Sequence, residues 1–426
     1  MTFGFFGVNM AFSLQSSQMG RIFQTIGADP TRLGFFFILP PLMGLFVQPL
    51  VGTYSDRTWG RFGRRMPYLL IGAPVAALVL TLLPNSGSFG FGYASLAALW
   101  FGAIAVLFMD LSSNVCMQPF KMIVGDMVNE NQKDFAWSWQ QIFSNMGAII
   151  ATLLPFALTA LGVANTASKG TLPHSVIWTF YIGAGVLLLT TLFTILRVRE
   201  YDPKKYAAYH GIDPLANRDK VSLIRLLKEA PKAFWEISLV QMFCWFAFQY
   251  LWTYGTGAIA ANVWHTADPS TAAYQAAGNW FGILSSIEAV AAVLWGLVLA
   301  KIQPHQRKTV YTIGLFLGGF GFLSVFFIHM QMLLIASFVL IGIGWITMNS
   351  VPFALLTSAL HGRHEGAYLG LFNGSICLPQ IVASVASFAI FPLTGQSMPA
   401  MLLIGGLALL GGALSVRIIH LEASSH

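Results

Sequence analysis

The stretch GTYSDRTWGRFGRRMP, residues 52–67, decides the fold class because it places a short basic turn between two long apolar segments. The segments at 33–54 and 67–84 each have the length that an α-helix needs to cross a bilayer, about 20 residues. Cytoplasmic loops of membrane proteins carry an excess of Lys and Arg. We therefore predict two membrane-spanning helices joined by a cytoplasmic turn.

The rest of the chain follows the same pattern. Of its 426 residues, 56% are hydrophobic and 9% are charged, whereas a soluble domain has roughly 25% charged residues. The formal net charge of +7 is concentrated in a few short loops, which indicates membrane topology and argues against nucleic-acid binding. Polar and Pro/Gly-rich breaks predict twelve helices, at 3–27, 33–54, 67–84, 94–122, 136–162, 175–198, 233–261, 278–300, 309–328, 331–358, 366–392 and 397–420.

A polar segment at 199–232 separates the first six predicted helices from the last six. We predict an all-α membrane protein with an N-terminal six-helix bundle at 1–198, a cytoplasmic linker at 199–232 and a C-terminal six-helix bundle at 233–426. The stretch VSLIRLLKEAPKAFWEI, residues 221–237, predicts an amphipathic helix on the inner membrane surface. Basic residues in alternate loops place both termini in the cytoplasm. Paired halves are typical of transporters that rock around a site at the midplane.

The basic turn also has a specific chemistry. A glycine at its start allows two helices to approach closely, and an aspartate can accept hydrogen bonds from an arginine and from N–H groups at a helix terminus. Such a clamp would hold in one state of the protein and break in another, and the alternative is a basic loop that only sets topology. The residues predicted to form the clamp are Gly52, Asp56, Arg57, Arg64 and Arg65, with Asp126 at the inner end of the fourth helix.

Several stretches together resemble a known family. The basic turn resembles the loop signature of the major facilitator superfamily. The stretches GVNMAFSLQSSQMGRIFQTIG (7–27), DLSSNVCMQPFKMIVGDM (110–127) and MNSVPFALLTSALHGRHEGAYLGLFNGSICLPQIVAS (348–384) resemble the sucrose–proton symporters of plants and their bacterial relatives, near the glycoside–pentoside–hexuronide carriers. The resemblance implies the major facilitator fold and uptake of a disaccharide such as sucrose or maltose with a proton. It also implies that Asp110 is the proton site and that Gln15 matches the glutamine ending the first-helix motif.

The fourth predicted helix carries charge where lipid disfavours it. Asp110, Asn114, Gln118 and Lys121 are spaced to form one stripe along it. An Asp at the bilayer centre costs on the order of 2.5–3.5 kcal/mol, so the stripe is expected to face a water-filled cavity or other helices. Burial disfavours the charged form of a carboxylate, and its oxygens can accept hydrogen bonds from sugar hydroxyls. We predict that Asp110 couples proton and sugar binding; the alternative is an Asp fixed in a helix–helix hydrogen bond.

Sugars need directional hydrogen-bond partners, which carboxamides supply as both donors and acceptors. Aromatic faces stack on the apolar faces of sugar rings, although each Trp could instead lie in an interfacial belt or the bundle core. Gln140 and Gln141 cannot both face a cavity, whereas Gln141 and Asn145 share a face. The predicted substrate-binding residues are Asn9, Gln15, Asp110, Asn114, Gln118, Gln141 and Asn145 in the first half, and Trp245, Gln249, Trp345, Asn349 and Asn373 in the second.

Two further charged residues lie within predicted helices. Glu288 matches no acid in the family pattern, and three roles stay open: a second proton site, a partner for a basic residue, or an acid near the membrane rim. Arg21 is a gate residue or a snorkelling anchor at the membrane surface, and the anchor is favoured. One departure concerns an Arg that the plant carriers place before their fifth-helix motif. The nearest base here is Lys133, in a predicted loop, which puts any proton-release role of that Arg in doubt.

The sequence predicts no cofactor and no metal site, with a proton as the coupling ion. Sodium-coupled relatives use additional carboxylates on the second helix, where this chain has no acid before Asp56. The predicted partners are a sugar, a proton and the bilayer, with no nucleic acid and with a monomeric protein. The alternatives are a sodium-coupled glycoside carrier, a drug–proton exporter or a sugar sensor. A membrane transferase would need clustered acids or histidines, so we predict that the chain is not an enzyme.

Overall fold

The described chain is helical. A computed structural model gives the positions of residues 3–58, 60–86, 89–127, 130–202, 205, 223–299, 301–360 and 365–420. The α-helices of these residues are α1 Gly4–Thr25, α2 Leu33–Arg57, α3 Met66–Leu82, α4 Leu96–Met127, α5 Glu130–Ala160, α6 His174–Arg197, α7 Leu223–Lys228, α8 Lys232–Trp264, α9 Ala272–Leu299, α10 Arg307–Phe327, α11 Leu334–Leu360, α12 Glu365–Phe372, α13 Gly374–Leu393 and α14 Met398–Ser415. The predicted all-α membrane protein is confirmed.

Ten helical segments in the described ranges are long and apolar enough to cross a membrane. The helices α1 and α8, of 22 and 33 residues, are not among these ten. Both carry several amide side chains, which lower the hydropathy of any window along them. These two helices therefore have the length of membrane spans but a more polar composition, and they hold several of the polar residues described below.

The first compact unit comprises Met1–Ala28 and Leu42–Asp219. Helix α1 is central to it and packs against α4, α5 and α6, while α3 packs against α4 and α6. The α1–α5 contact is close enough to require glycine. A Cβ atom added at Gly147 would lie 2.5 Å from the carbonyl oxygen of Phe6, a separation that real Cβ atoms do not adopt. Small residues thus bring the backbone of α1 against its neighbours, as is common between membrane helices.

The second compact unit comprises Asp29–Pro41 and Lys220–His426. Helix α8 is central and packs against α9, α11, α13 and α14, and α10 packs against α11 and α14. The first turns of α2 belong to this unit because the buried amide of Gln249 donates to the Phe37 carbonyl oxygen at 2.8 Å. The predicted division into bundles at 1–198 and 233–426 stays a prediction. The two units differ from it in residues 29–41 and in the linker, which they divide between Asp219 and Lys220.

Several predicted helices have different limits in the structure. Helices α5 and α9 begin at Glu130 and Ala272, ahead of the predicted starts at 136 and 278, so Lys133 lies in α5 and the prediction that it lies in a loop is wrong. The amphipathic helix expected over 221–237 is only Leu223–Lys228, and the residues from Lys232 onwards belong to α8. Pro231 separates them, because the residue before a proline is driven away from helical backbone angles. The single helix predicted at 366–392 is two helices that meet at Asn373. Glycines at 370 and 374 flank this break, and glycine is a poor helix former.

Candidate functional site

An acid–amide pair lies inside the first unit. The Nε2 atom of Gln15 in α1 donates to Oδ2 of Asp110 in α4 at 2.8 Å. Asp110 has no exposed surface and Gln15 is 3% exposed. Asp110 was predicted to face either a water-filled cavity or other helices, and in the structure it faces helix α1. The conformation described is therefore one in which this acid is closed to solvent.

The pair leaves two acceptors unsatisfied. Oδ1 of Asp110 and Oε1 of Gln15 are buried and have no hydrogen-bond partner among the described residues. Within the same residues, no basic side chain lies within ion-pair distance of Asp110. A buried carboxylate without a cation is costly, whereas a proton on Oδ1 would turn that atom into a donor. The amide of Gln15 offers an acceptor of the kind that such a donor needs.

One asparagine on each of the helices α1 and α4 donates from its amide nitrogen to the backbone of its own helix. Nδ2 of Asn114 donates to the backbone oxygen of Asp110 at 2.8 Å, and Nδ2 of Asn9 donates to that of Phe5 at 3.2 Å. Asn9 and Gln118 are partly exposed, while Asn114 is buried. The predicted stripe on α4 thus runs from a closed end at Asp110 to an accessible one at Gln118. The Lys121 side chain lies outside the described residues.

Helix α5 places its polar residues differently. Gln140 is buried and its Nε2 lies 3.4 Å from the Phe120 carbonyl oxygen, so this amide contacts α4. Asn145 is exposed. The predicted substrate-binding residue Gln141 has a side chain outside the described residues, so its proposed partnership with Asn145 stays a prediction.

Aromatic side chains gather in the second unit. The ring centroids of Trp245 and Trp345 lie 5.6 Å apart, those of Trp252 and Trp345 5.8 Å, and those of Phe248 and Trp345 5.0 Å. We call Trp245, Phe248, Trp252 and Trp345 the tryptophan cluster. It joins α8 to α11. The indole Nε1 of Trp245 is buried and has no acceptor among the described residues.

The predicted substrate-binding amides of the second unit already donate hydrogen bonds within the protein. Nε2 of Gln249 donates to Ser384 Oγ at 2.8 Å, in addition to its hydrogen bond to the Phe37 carbonyl oxygen in α2. Nδ2 of Asn349 donates to the backbone oxygen of Trp345 at 2.8 Å, one turn earlier. Asn373 is partly exposed at the junction of α12 and α13, with Nδ2 at 3.8 Å from Cys377 Sγ. Gln249 therefore holds helices together within this unit, whereas Asn349 and Asn373 retain accessible surface.

The predicted clamp is seen in part. Nε of Arg65 donates to Oδ2 of Asp126 at 2.9 Å, and Arg65 also donates to the hydroxyl of Ser55. Arg64 Nη1 lies 3.9 Å from Asp126 Oδ1. The structure thus brings three of the predicted clamp residues together. The side chains of Asp56 and Arg57, and the surroundings of Gly52, lie outside the described residues, so their part in a clamp stays a prediction.

Sequence reasoning missed the acid that organises this turn. The carboxylate of Glu200 accepts from the backbone N–H groups of Arg64, Arg65 and Met66, at 2.8–2.9 Å. These N–H groups lie at the start of α3, where a helix favours negative charge. Gly63, with φ +98°, makes room, since a Cβ there would lie 2.9 Å from the Glu200 carboxyl carbon. The available signal was an acid directly after α6, on the same predicted membrane side as the turn.

The anchor role favoured for Arg21 is wrong. Its side chain is fully buried, with Nη2 at 2.9 Å from Oδ1 of Asn165 and Nη1 at 3.5 Å from Oε1 of Gln18. An arginine that snorkels keeps its charged head in water. Here acceptors from α1 and from the α5–α6 loop surround the guanidinium instead, so Arg21 ties these segments together.

Comparison with known proteins gives a consistent picture. Residues 1–384 match the Major Facilitator Superfamily. Sucrose transport protein SUT1 of Oryza sativa subsp. japonica is 24% identical over 479 residues, covering 97% of this chain and 86% of that protein. Sucrose transport protein SUC4 of Arabidopsis thaliana is 22% identical over 425 residues, covering 89% of this chain and 81% of that protein.

Solved structures share the fold. The nucleoside transporter NupG aligns with a TM-score of 0.69 at 14% identity, covering 98% of this chain and 97% of that one. A bacterial homolog of the human lysosomal transporter Spinster, in an inward-facing and occupied conformation, aligns with a TM-score of 0.65 at 12% identity. The alignment covers 98% of this chain and 93% of that one. Identities this low show the fold alone. The predicted major facilitator fold of two six-helix bundles is confirmed.

Proposed function

The chain belongs to the Major Facilitator Superfamily, and we propose that it is a proton-coupled symporter that takes up a disaccharide such as sucrose or maltose. It is an integral, multi-pass membrane protein of a transporter family, and the prediction that it is not an enzyme is confirmed by that family. The sugar is inferred from the sucrose transport proteins of rice and Arabidopsis that resemble it over most of its length. We further propose a monomer with both termini in the cytoplasm.

The observation that carries proton coupling is the pairing of Asp110 with a neutral amide. An acid that stayed ionised while closed to solvent inside a membrane helix would need a cation or several donors. Among the described residues, Asp110 has one donor, from Gln15, and its Oδ1 has no hydrogen-bond partner. A proton on that oxygen removes the buried charge. In the opened state, hydration stabilises the carboxylate and releases the proton, so closure of the helices and proton binding favour each other.

In the proposed cycle, Asp110 takes a proton from outside and the sugar binds to the amides and aromatic rings assigned above. A conformational change closes the outer side and opens the inner one, and both ligands leave inward. Prolines 119, 155, 352 and 379 lie inside α4, α5, α11 and α13, where they interrupt the helical hydrogen bonding and allow bending. The clamp of Arg65 and Asp126 would break and re-form during this change.

The test is uptake of radiolabelled sucrose and maltose into proteoliposomes under an imposed proton gradient. We expect the wild-type protein to concentrate at least one of these sugars, with no requirement for sodium. Asp110→Asn keeps a similar shape but cannot exchange a proton, so it should exchange sugar across the membrane without concentrating it. The matched control is Asp268→Asn, which changes an exposed loop acid that caps Ser270, and it should transport normally.

Each part of the proposal can fail separately. Concentration of sugar by Asp110→Asn would exclude this residue as the coupling group. Accumulation that follows a sodium gradient, with none from a proton gradient, would identify the sodium-coupled alternative. A wild-type protein that transports neither sugar would overturn the assigned substrate class.

A further inference from the structure

Glu288 lies in the middle of α9 without a hydrogen-bond or ion-pair partner among the described residues, and part of its side chain is accessible. The lipid-facing side of α9 is marked by Val290, Leu294 and Leu297, which are 47%, 61% and 63% exposed. With 3.6 residues per turn, Glu288 lies about 150° around the helix from the centre of that face. The partly exposed side chain of Glu288 is therefore turned to the interior of the unit.

Residues seven positions away confirm the direction of this face. Phe281 is buried and its ring lies 6.0 Å from that of Phe338 in α11. Trp295 donates from Nε1 to Oγ1 of Thr347, also in α11, at 3.1 Å. Because residues seven apart share a side of an α-helix, Glu288 projects from the side of α9 that packs toward α11.

The backbone contact with α11 fixes the height of Glu288. Gly342 packs directly on the Glu288 carbonyl oxygen, where an added Cβ atom would clash. Trp345 follows three residues after Gly342, a distance of about 4.5 Å along the helix axis. One member of the tryptophan cluster therefore lies less than one helical turn from the level of Glu288.

The contact with α8 gives the same height independently. Gly255 packs on the ring of Phe281, with an added Cβ at 2.7 Å from it. Helices α8 and α9 are consecutive and joined by a short loop, so they run in opposite directions. Seven residues back from Gly255 is Phe248, and seven residues on from Phe281 is Glu288. Phe248 and Glu288 thus lie at one level, where the Phe248 ring also meets Trp345 at 5.0 Å.

We propose that Glu288 accepts a hydrogen bond from a ring hydroxyl of the transported sugar while that ring packs against the tryptophan cluster. Carbohydrates bind where an aromatic face meets strong acceptors and donors, because their rings have apolar faces and polar edges. The cluster supplies the face, and Glu288 supplies a partly exposed acceptor that is charged while the site is hydrated. The Nε1–H of Trp245, which has no acceptor among the described residues, supplies a donor. This inference rests on the proposed function and adds to it a residue that sets sugar affinity.

The test measures equilibrium binding of radiolabelled sucrose and maltose to the purified full-length protein. Glu288→Gln has almost the same shape and keeps an acceptor, but loses the charge that makes the hydrogen bond strong. We expect about 10-fold weaker binding of the better sugar, since hydrogen bonds to charged groups contribute more than neutral ones. Ser286→Ala, two residues away on α9, is the matched control and should bind like the wild type.

Monodeoxy derivatives of the same sugar identify the contact without relying on one variant. In the wild-type protein, removal of the hydroxyl that Glu288 binds should weaken binding about 10-fold. In Glu288→Gln, the same removal should have little effect, because the interaction is already lost. Deoxy penalties that are equal in both proteins would overturn the proposal.

Two other results would overturn it and are distinct from failure of the proposed function. Unchanged sugar affinity in Glu288→Gln would exclude the contact. Unchanged affinity with loss of proton-driven accumulation would make Glu288 a coupling residue instead. A wild-type protein that binds neither sucrose nor maltose would overturn the proposed function, and this inference with it.

Discussion

Asp110 in the first unit and Glu288 in the second both lie near the middle of a membrane-spanning helix, and their surroundings differ. Asp110 is closed to solvent and one of its oxygens is bound by Gln15. Glu288 is partly exposed and has no partner among the described residues. A buried acid with a neutral partner suits a group that changes its protonation, whereas an accessible acid without one suits a group that binds a ligand.

Glu200 shows what a purely structural acid looks like in the same chain. Its carboxylate accepts from three consecutive backbone N–H groups at the start of α3. Among the described residues, Glu200 thus has three donors, Asp110 has one and Glu288 has none. The number of donors that the fold provides separates a structural acid from one available for proton or ligand binding.

The largest expected effect concerns proton movement by the two membrane acids. Addition of saturating sucrose or maltose to weakly buffered proteoliposomes should cause proton entry with the wild type and with Glu288→Gln. Asp110→Asn should give no proton entry at all, because it has no exchangeable proton at this site. A pH-sensitive dye outside the vesicles measures the response. Proton entry with Asp110→Asn, or its loss in Glu288→Gln, would break the comparison between the two acids.

Glu200→Gln should lower stability while leaving sugar affinity unchanged. The variant weakens the charge-assisted hydrogen bonds to the turn and removes the favourable negative charge at the start of α3. For a partly exposed carboxylate, we expect the free energy of unfolding to fall by about 1–2 kcal/mol. Thermal unfolding of the purified protein measures it. Glu229→Gln alters an exposed acid whose ion-pair partner among the described residues is Arg225, and it should cost less stability than Glu200→Gln. Equal losses in both variants would show that the turn does not depend on Glu200.

Gln15→Leu should reduce the free energy of unfolding by about 1–2 kcal/mol, because Asp110 then loses its only described donor. The same change in an Asp110→Leu background should cost much less, since no polar group would remain unsatisfied. Thermal unfolding of the four proteins gives the coupling energy between the two positions. Additive effects would mean that the pair contributes little to stability.

Trp245→Phe should have the smallest effect. It keeps an aromatic face but removes the Nε1–H, which has no acceptor among the described residues. The dissociation constant for sugar should therefore rise about 3-fold if that donor binds a hydroxyl. Stability should change by less than about 1 kcal/mol, because the lost packing and the removal of a buried unsatisfied donor act in opposite directions. Unchanged sugar affinity would restrict Trp245 to a packing role.

Most of the fold was predictable, and the site was predictable by residue type. Helix positions followed from apolar segments. Errors occurred at Pro231 and Asn373, where local backbone preferences end a helix, and at the starts of α5 and α9, where the helix extends beyond its apolar segment into polar residues. Asp110 and Gln15 were identified separately, yet their hydrogen bond was not predicted because it joins residues on α1 and α4 that are far apart in sequence. Arg21 was misplaced because its acceptor Asn165 lies in a distant loop.

The sequence by itself determined that this protein is a helical membrane transporter with an acid in its fourth span. Hydropathy, loop charge and motif spacing are properties of short segments, so they can be determined from the sequence without coordinates. Only the tertiary structure decided which donors each acid receives. A hydrogen bond forms only when two atoms come within about 3 Å, and the packing of distant helices sets that distance. For that reason the difference between Asp110, Glu200 and Glu288 appears only in the folded chain.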